Sequence, residues 1–241
     1  MDTDEGRTTG RARVLGAVWP GLVLVAVGVL TFVALYDALV EQDDLWETDT
    51  PLVEWFAAHR TPGMTTVMTV VTDTFGPIVL PVLVAIGCVV WARLARGWWE
   101  PLVLAGAMVV STLLSSLLKV LVGRPRPDDE LMAVPGLETT FSFPSGHTTG
   151  AATLVLVSGY LIQHRSGSRR AVVLWALASV VVVAAVGGSR MYLGYHFLTD
   201  VLAGICVAVV VLGGVVALTR WHDLRVGEGA GEPSHDVAPT A

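Results

Sequence analysis

Three clusters of polar residues in this chain have types and spacings suited to handling a phosphate group. The first begins at Lys119 and continues through Gly123-Arg124-Pro125-Arg126-Pro127. Prolines stiffen the backbone that carries the arginines. Planar guanidinium forks and a mobile ammonium match the oxygens of a phosphate dianion. A lysine near the end of an apolar segment could also simply snorkel toward water. The second cluster is Phe143-Pro144-Ser145-Gly146-His147, just before an apolar run. Ser145 is suited to cap a helix, and Gly146 lets backbone approach a ligand. Free N–H groups at a helix start attract anions. The third is Ser189-Arg190, with His196 six residues after Arg190 and Asp200 four residues further on. The spacing predicts that His196 and Asp200 share one face at the start of a helix, about 6 Å apart along its axis. An aspartate so placed accepts the Nδ1 proton of the imidazole and leaves Nε2 unprotonated for attack.

The elements that must position these clusters are membrane helices. The chain has 241 residues, 53% hydrophobic and 15% charged, too apolar for an ordinary soluble domain. A hydrocarbon core of about 30 Å needs about 20 residues of helix. Asp, Glu, Lys and Arg are absent from Val14 to Tyr36, Thr74 to Ala92, Pro101 to Leu118, Gly146 to Gln163, Ala171 to Ser189 and Val201 to Thr219. The expected fold is therefore all-α, a polytopic membrane protein with six transmembrane helices. Its membrane domain is expected over 14–220, between a cytoplasmic tail at 1–13 and another at 221–241. The first span is longer than the apolar core of a signal peptide and reads as a retained anchor. Met1 to Gly10 and Val226 to Ala241 have the composition of poorly ordered ends.

Basic residues set the orientation. With the N-terminus inside, Arg7, Arg11, Arg13, Arg93, Arg96, Arg165, Arg169, Arg170, Arg220 and Arg225 are cytoplasmic. Only Arg60, Lys119, Arg124, Arg126 and Arg190 fall outside, so the positive-inside rule puts both termini in the cytoplasm. All three clusters then share the outer face. Ionisable groups at membrane depth cost about 2.5–3.5 kcal/mol each on insertion scales, so pairing or function must offset them. In the outer loop, acidic at Asp43, Asp44, Glu47 and Asp49, Leu52-Val53 with Trp55-Phe56 suggests a short interfacial helix.

The three clusters resemble the signature of the type-2 phosphatidic acid phosphatase superfamily, which also contains bacterial acid phosphatases and vanadium haloperoxidases. That signature is Lys, six residues, Arg-Pro; then Pro-Ser-Gly-His; then Ser-Arg, five residues, His, three residues, Asp. Lys119, Arg126 and Pro127 match the first part, Pro144 to His147 the second, and Ser189, Arg190, His196 and Asp200 the third. The resemblance implies that His196 attacks phosphorus to form a phosphohistidine, oriented by Asp200, with His147 as general acid and then base. Lys119, Arg126, Ser145, Gly146 and Arg190 would hold the phosphoryl oxygens. It also implies catalysis without a metal or other cofactor. Arg124 lies outside the signature and is a candidate for contact with a headgroup or anionic lipid.

The expected substrate is a membrane lipid phosphate or pyrophosphate: phosphatidic acid, phosphatidylglycerol phosphate, diacylglycerol pyrophosphate or an undecaprenyl pyrophosphate. The alternatives are a phosphotransferase using an acceptor alcohol and a non-catalytic headgroup-binding or transport protein; an oriented His–Asp pair argues against the last. A net charge of −6 gives no footprint for nucleic acid. Cys88 and Cys206 lie inside apolar runs and read as buried thiols, not metal ligands or a disulfide. Composition fits a bacterial plasma membrane. Oligomeric state has no signal in the sequence.

Overall fold

The computed structural model describes residues 2–135, 138–166 and 168–229, and it is all-helical over them. The helices are α1 (Asp2–Glu41), α2 (Asp44–Glu47), α3 (Asp49–Ala58), α4 (Pro62–Thr74), α5 (Val79–Ala95), α6 (Trp99–Val122), α7 (Gly146–Ser166), α8 (Arg169–Tyr192) and α9 (Leu198–Gly229), with a 3₁₀ turn at Asp129–Leu131. Large apolar side chains such as Leu30, Leu94, Leu113, Leu174 and Val180 are exposed on the outside of the bundle. Water would not tolerate so extensive an apolar surface, and lipid does.

Among the described residues four helices are long and apolar enough to cross a membrane: α1 from Ala12, α6, α8 and α9 to Gly227. A fifth span results if α4 and α5, bent by 54° across their junction, count as one. The six expected spans are thus not all recovered by length and hydropathy. Two differences account for this. The stretch from Thr74 to Ala92 is not one helix: α4 ends at Thr74 and α5 starts at Val79. Gly76-Pro77 lies in the gap, where Pro77 has no N–H to donate and keeps Gly76 out of the helical region. The other is α7, whose Thr148, Thr149, Thr153 and Ser158 are buried along with Ala151, Ala152 and Val157. It packs against α6, α8 and α9, so its polar residues meet protein, and apolar character is not demanded of it.

A shared core joins α5, α6, α7 and α9 through Leu80, Val84, Leu104, Ala107, Val157, Leu161, Val211 and Val215. Cys88 and Cys206 are buried and unbonded to each other. The α1–α9 seam is close: a Cβ on Gly213 would lie 2.6 Å from the Gly21 carbonyl oxygen. At one end of the bundle Trp99 stacks on His222 with centroids 4.0 Å apart, and His164 meets Asp223 at 2.8 Å. These contacts anchor the last turns of α9, which runs on to Gly229, past Val226 where a poorly ordered end was expected; residues 230–241 lie outside the described residues. α1 likewise begins at Asp2, inside the other expected tail, and Met1 lies outside the described residues. At the opposite end meet the C-termini of α6 and α8, the N-termini of α7 and α9, and α3, which contains the expected Leu52–Phe56 helix.

Candidate active site

Gly123 ends α6 in the left-handed region (φ +66) and turns the chain so that Arg124 and Arg126 fold back over the bundle end. Lys119, on the last turn of α6, donates to the carbonyls of Phe141 and Ser142. Arg126 donates from Nε to the Thr140 carbonyl and from Nη1 to the Tyr195 carbonyl, both at 2.7 Å. Ser145 immediately precedes α7, and its carbonyl accepts the Thr149 N–H at 2.9 Å, the first bond of the helix. The Ser145 N–H donates to the Asp200 carbonyl at 2.9 Å, tying α7 to α9. Arg190, 1% exposed, lies with its guanidinium 4.6 Å from the Tyr195 ring and donates to Thr72 Oγ1 at 3.0 Å.

His196 is buried in the loop, two residues before α9 begins at Leu198, and of the pair only Asp200 is in the first turn. The expected pairing on one helical face is therefore a loop-to-helix pairing, with His196 Nδ1 3.2 Å from Asp200 Oδ2. On the other side of the ring, Nε2 is 3.3 Å from Arg126 Nη1. A guanidinium can only donate, so Nε2 must be the acceptor and Nδ1 carries the proton toward Asp200. Burial lowers the basicity of His196 well below that of an ordinary imidazole, and Arg190, Arg126 and Lys119 lower it further. The imidazole is consequently neutral, the form a nucleophile needs. His147, half-buried in the first turn of α7, is close enough to act electrostatically on His196, Glu138 and Arg190.

Four participants are absent from the sequence-based list. Ser142 donates to Asp200 Oδ2 and lies 3.3 Å from His196 Nδ1. Glu138 bridges the two arginines, accepting from Arg126 Nη2 at 3.1 Å and from Arg190 Nη2. Burial pushes its carboxyl upward, but Arg190 and Arg126 outweigh that and hold it below the usual carboxylate value. Arg124 is not at a headgroup surface as expected: it is 4% exposed, with Nη1 2.6 Å from Asp200 Oδ1 and Nη2 2.7 Å from Asp49 Oδ2. Asp49 in turn accepts the Thr199 N–H at 3.0 Å. Among the described residues no three His, Cys, Asp or Glu side chains converge as a metal cage would require.

A cleft of about 230 Å³ opens between α4–α5 and α6–α7, lined by Phe75, Leu80, Val84, Trp91, Leu104 and Leu154. It starts at Thr74, two residues beyond the Thr72 that touches Arg190.

Comparisons with known proteins place the chain in a family. Residues 100–223 match the model of the PAP2 superfamily. The chain is 32% identical over 186 residues to phosphatidylglycerophosphatase B of Bacillus subtilis, covering 76% of this chain and 89% of that protein. It is also 32% identical over 136 residues to decaprenylphosphoryl-5-phosphoribose phosphatase of Mycobacterium tuberculosis, covering 56% of this chain and 68% of that protein. The crystal structure of a transmembrane PAP2-type phosphatidylglycerolphosphate phosphatase from Bacillus subtilis superposes with a TM-score of 0.69 at 25% identity, over 88% of this chain and 98% of the other. Aquifex aeolicus LpxE shares the fold, with a TM-score of 0.51 at 21% identity over 71% and 95% of the two chains.

Proposed function

The chain belongs to the PAP2 superfamily and is a lipid phosphatase, and from that premise we propose that it cleaves a phosphomonoester or pyrophosphate of a membrane lipid through a phosphohistidine at His196. The observation that carries the proposal is the two-sided hold on His196, with Nδ1 toward Asp200 at 3.2 Å and Nε2 3.3 Å from Arg126. Nε2 attacks phosphorus in line, and Asp200 stabilises the imidazolium that forms. His147 protonates the departing oxygen, then deprotonates the water that releases phosphate from His196. Lys119, Arg126 and Arg190, with the Ser145 hydroxyl and Gly146 amide, hold the equatorial oxygens and stabilise their growing charge. Glu138 leaves Arg126 and Arg190 when a phosphoryl group takes its place.

Phosphatidylglycerol phosphate is the first substrate to test, on the strength of the relative aligned over most of both chains. Six spans with both termini cytoplasmic complete the reading: α7, with 21 residues, is about 31 Å long at 1.5 Å per residue, enough to cross as a sheathed central span. The site then faces outward in a plasma membrane.

The test is phosphate release by purified protein in mixed micelles containing EDTA. Phosphatidic acid, phosphatidylglycerol phosphate, diacylglycerol pyrophosphate and undecaprenyl pyrophosphate form the panel, with His196→Ala as the control. Release that persists with EDTA and falls by at least about 10³-fold in His196→Ala is expected. Turnover near the wild-type rate in that variant would overturn the mechanism.

A further inference from the structure

Arg124 Nη1 meets Asp200 Oδ1 at 2.6 Å and Thr199 Oγ1 at the same distance, while Nη2 meets Asp49 Oδ2 at 2.7 Å. The guanidinium packs against the Trp46 and Phe197 rings, 4.6 and 4.2 Å from their centroids. Asp49 comes from α3, in the loop that precedes the segment matched by the family model. It is 1% exposed, and it receives both the N–H and the hydroxyl of Thr199, the residue beside Asp200. Arg124 thus spans two carboxylates, giving one nitrogen to each, and charge-assisted bonds of this length are about twice as strong as neutral ones. With Oδ1 held by Arg124, and Oδ2 receiving Ser142 Oγ and the Phe197 N–H at 2.9 Å, Asp200 cannot rotate away from His196.

The charges matter as much as the geometry. Arg124 alone would cancel Asp200 and leave little field for an imidazolium. Asp49 restores one negative charge to the group. The Asp49–Arg124–Asp200 chain thus carries one net negative charge, and the chain together with His196 becomes neutral when His196 turns positive. In a buried site that match is felt at full strength only as the charge develops.

We propose that Asp49 and Arg124 are positioning residues for phosphoryl transfer, which act through Asp200 to orient His196 and stabilise its charged form. The proposal rests on the reading of His196 as nucleophile. It assigns the outer-loop helix α3 a part in turnover, since α3 supplies a buried carboxylate to the site.

The experiment compares wild type, Asp49→Asn, Arg124→Lys, Asp200→Asn and the double variant Asp49→Asn/Asp200→Asn. All are full-length, in the same micelles, with the panel lipid that wild type turns over fastest. Asp49→Asn is expected to lower kcat about 10-fold with KM changed less than about 2-fold, because the lost stabilisation belongs to the transition state. Arg124→Lys keeps the charge but loses the fork, and should retain measurable turnover with a lowered kcat. In the Asp200→Asn background, Asp49→Asn should change kcat by less than about 2-fold, as expected of residues acting through one another. Multiplying losses in the double variant would overturn the proposal, and so would an unchanged kcat in Asp49→Asn. Thermal unfolding in detergent is followed for each variant; should Asp49→Asn fail to fold, Arg124→Lys decides, and wild-type kcat there sinks the idea. If His196→Ala is inactive while Asp49→Asn is silent, only this proposal falls. If His196→Ala is active, the underlying mechanism falls first.

Discussion

Glu138 gives the residue scale its sharpest consequence. Its carboxylate joins Arg126 and Arg190, and those guanidiniums cannot hold it and a phosphoryl group with the same nitrogens. The two arginines keep the carboxyl below its usual value, so it remains ionised and competes throughout the neutral range. Replacing it by Gln, a weaker partner for a guanidinium, should tighten competitive inhibition by orthovanadate about 3- to 10-fold, equally at pH 6 and pH 8. Unchanged or weaker inhibition in a folded Glu138→Gln protein would show that Glu138 does not compete for the anion site. At this scale the sequence nominated the residues whose spacing repeats a signature: Lys119, Arg126, Ser145, Gly146, His147, Arg190, His196 and Asp200. Arg124 and Asp49 were not among them, because their contact joins positions 75 residues apart. An arginine beside apolar spans does demand a buried partner, but Asp49 ends an acidic run, Asp43, Asp44 and Glu47, that reads as solvated loop. Ser142 carried a fainter signal as a hydroxyl three residues before Ser145.

At the scale of elements, the site depends on how closely α9 approaches the start of α7. A Cβ on Gly204 would lie 2.8 Å from the Ser145 carbonyl oxygen and 3.0 Å from Thr149 Oγ1. A side chain there must push the helices apart and pull on the Ser145 N–H bond to the Asp200 carbonyl. Gly204→Val should therefore destabilise the fold by about 1–3 kcal/mol and also lower kcat in the protein that remains folded. Differential scanning fluorimetry with parallel kinetics separates the two, and wild-type stability would show that α9 has room to shift. The long apolar helices were readable from hydropathy, while the interruption between α4 and α5 was not, although Gly76-Pro77 marks it. α7 was found from its lack of charge and not from high hydropathy, and its buried threonines show why: helix surrounds it on three sides.

The whole molecule has its ionised site residues gathered at one end and Arg13, Arg220 and Asp223 together at the other. The second end is the one that the basic residues propose as cytoplasmic. A reporter fused after Arg225 should be active only in the cytoplasm, with alkaline phosphatase silent and a fluorescent protein bright. An exported reporter would reverse the orientation of the entire bundle. The single membrane domain is proposed from one run of apolar segments, which admits one bundle. The short helix at Leu52–Phe56 was expected and is part of α3, but its packing together with α2 and α4 over the site end was not, since those contacts are formed by burial of side chains distant in sequence.

The apolar surface around the cleft walled by Phe75, Leu80, Val84, Trp91 and Leu154 keeps this enzyme in the lipid phase that also holds its substrate. Enzyme and substrate therefore meet by diffusing in two dimensions. The quantity that sets occupancy is then the number of substrate headgroups per unit area of bilayer, and the aqueous concentration drops out. Inert neighbouring lipids act as diluent, and the saturation curve of such an enzyme is drawn against mole fraction.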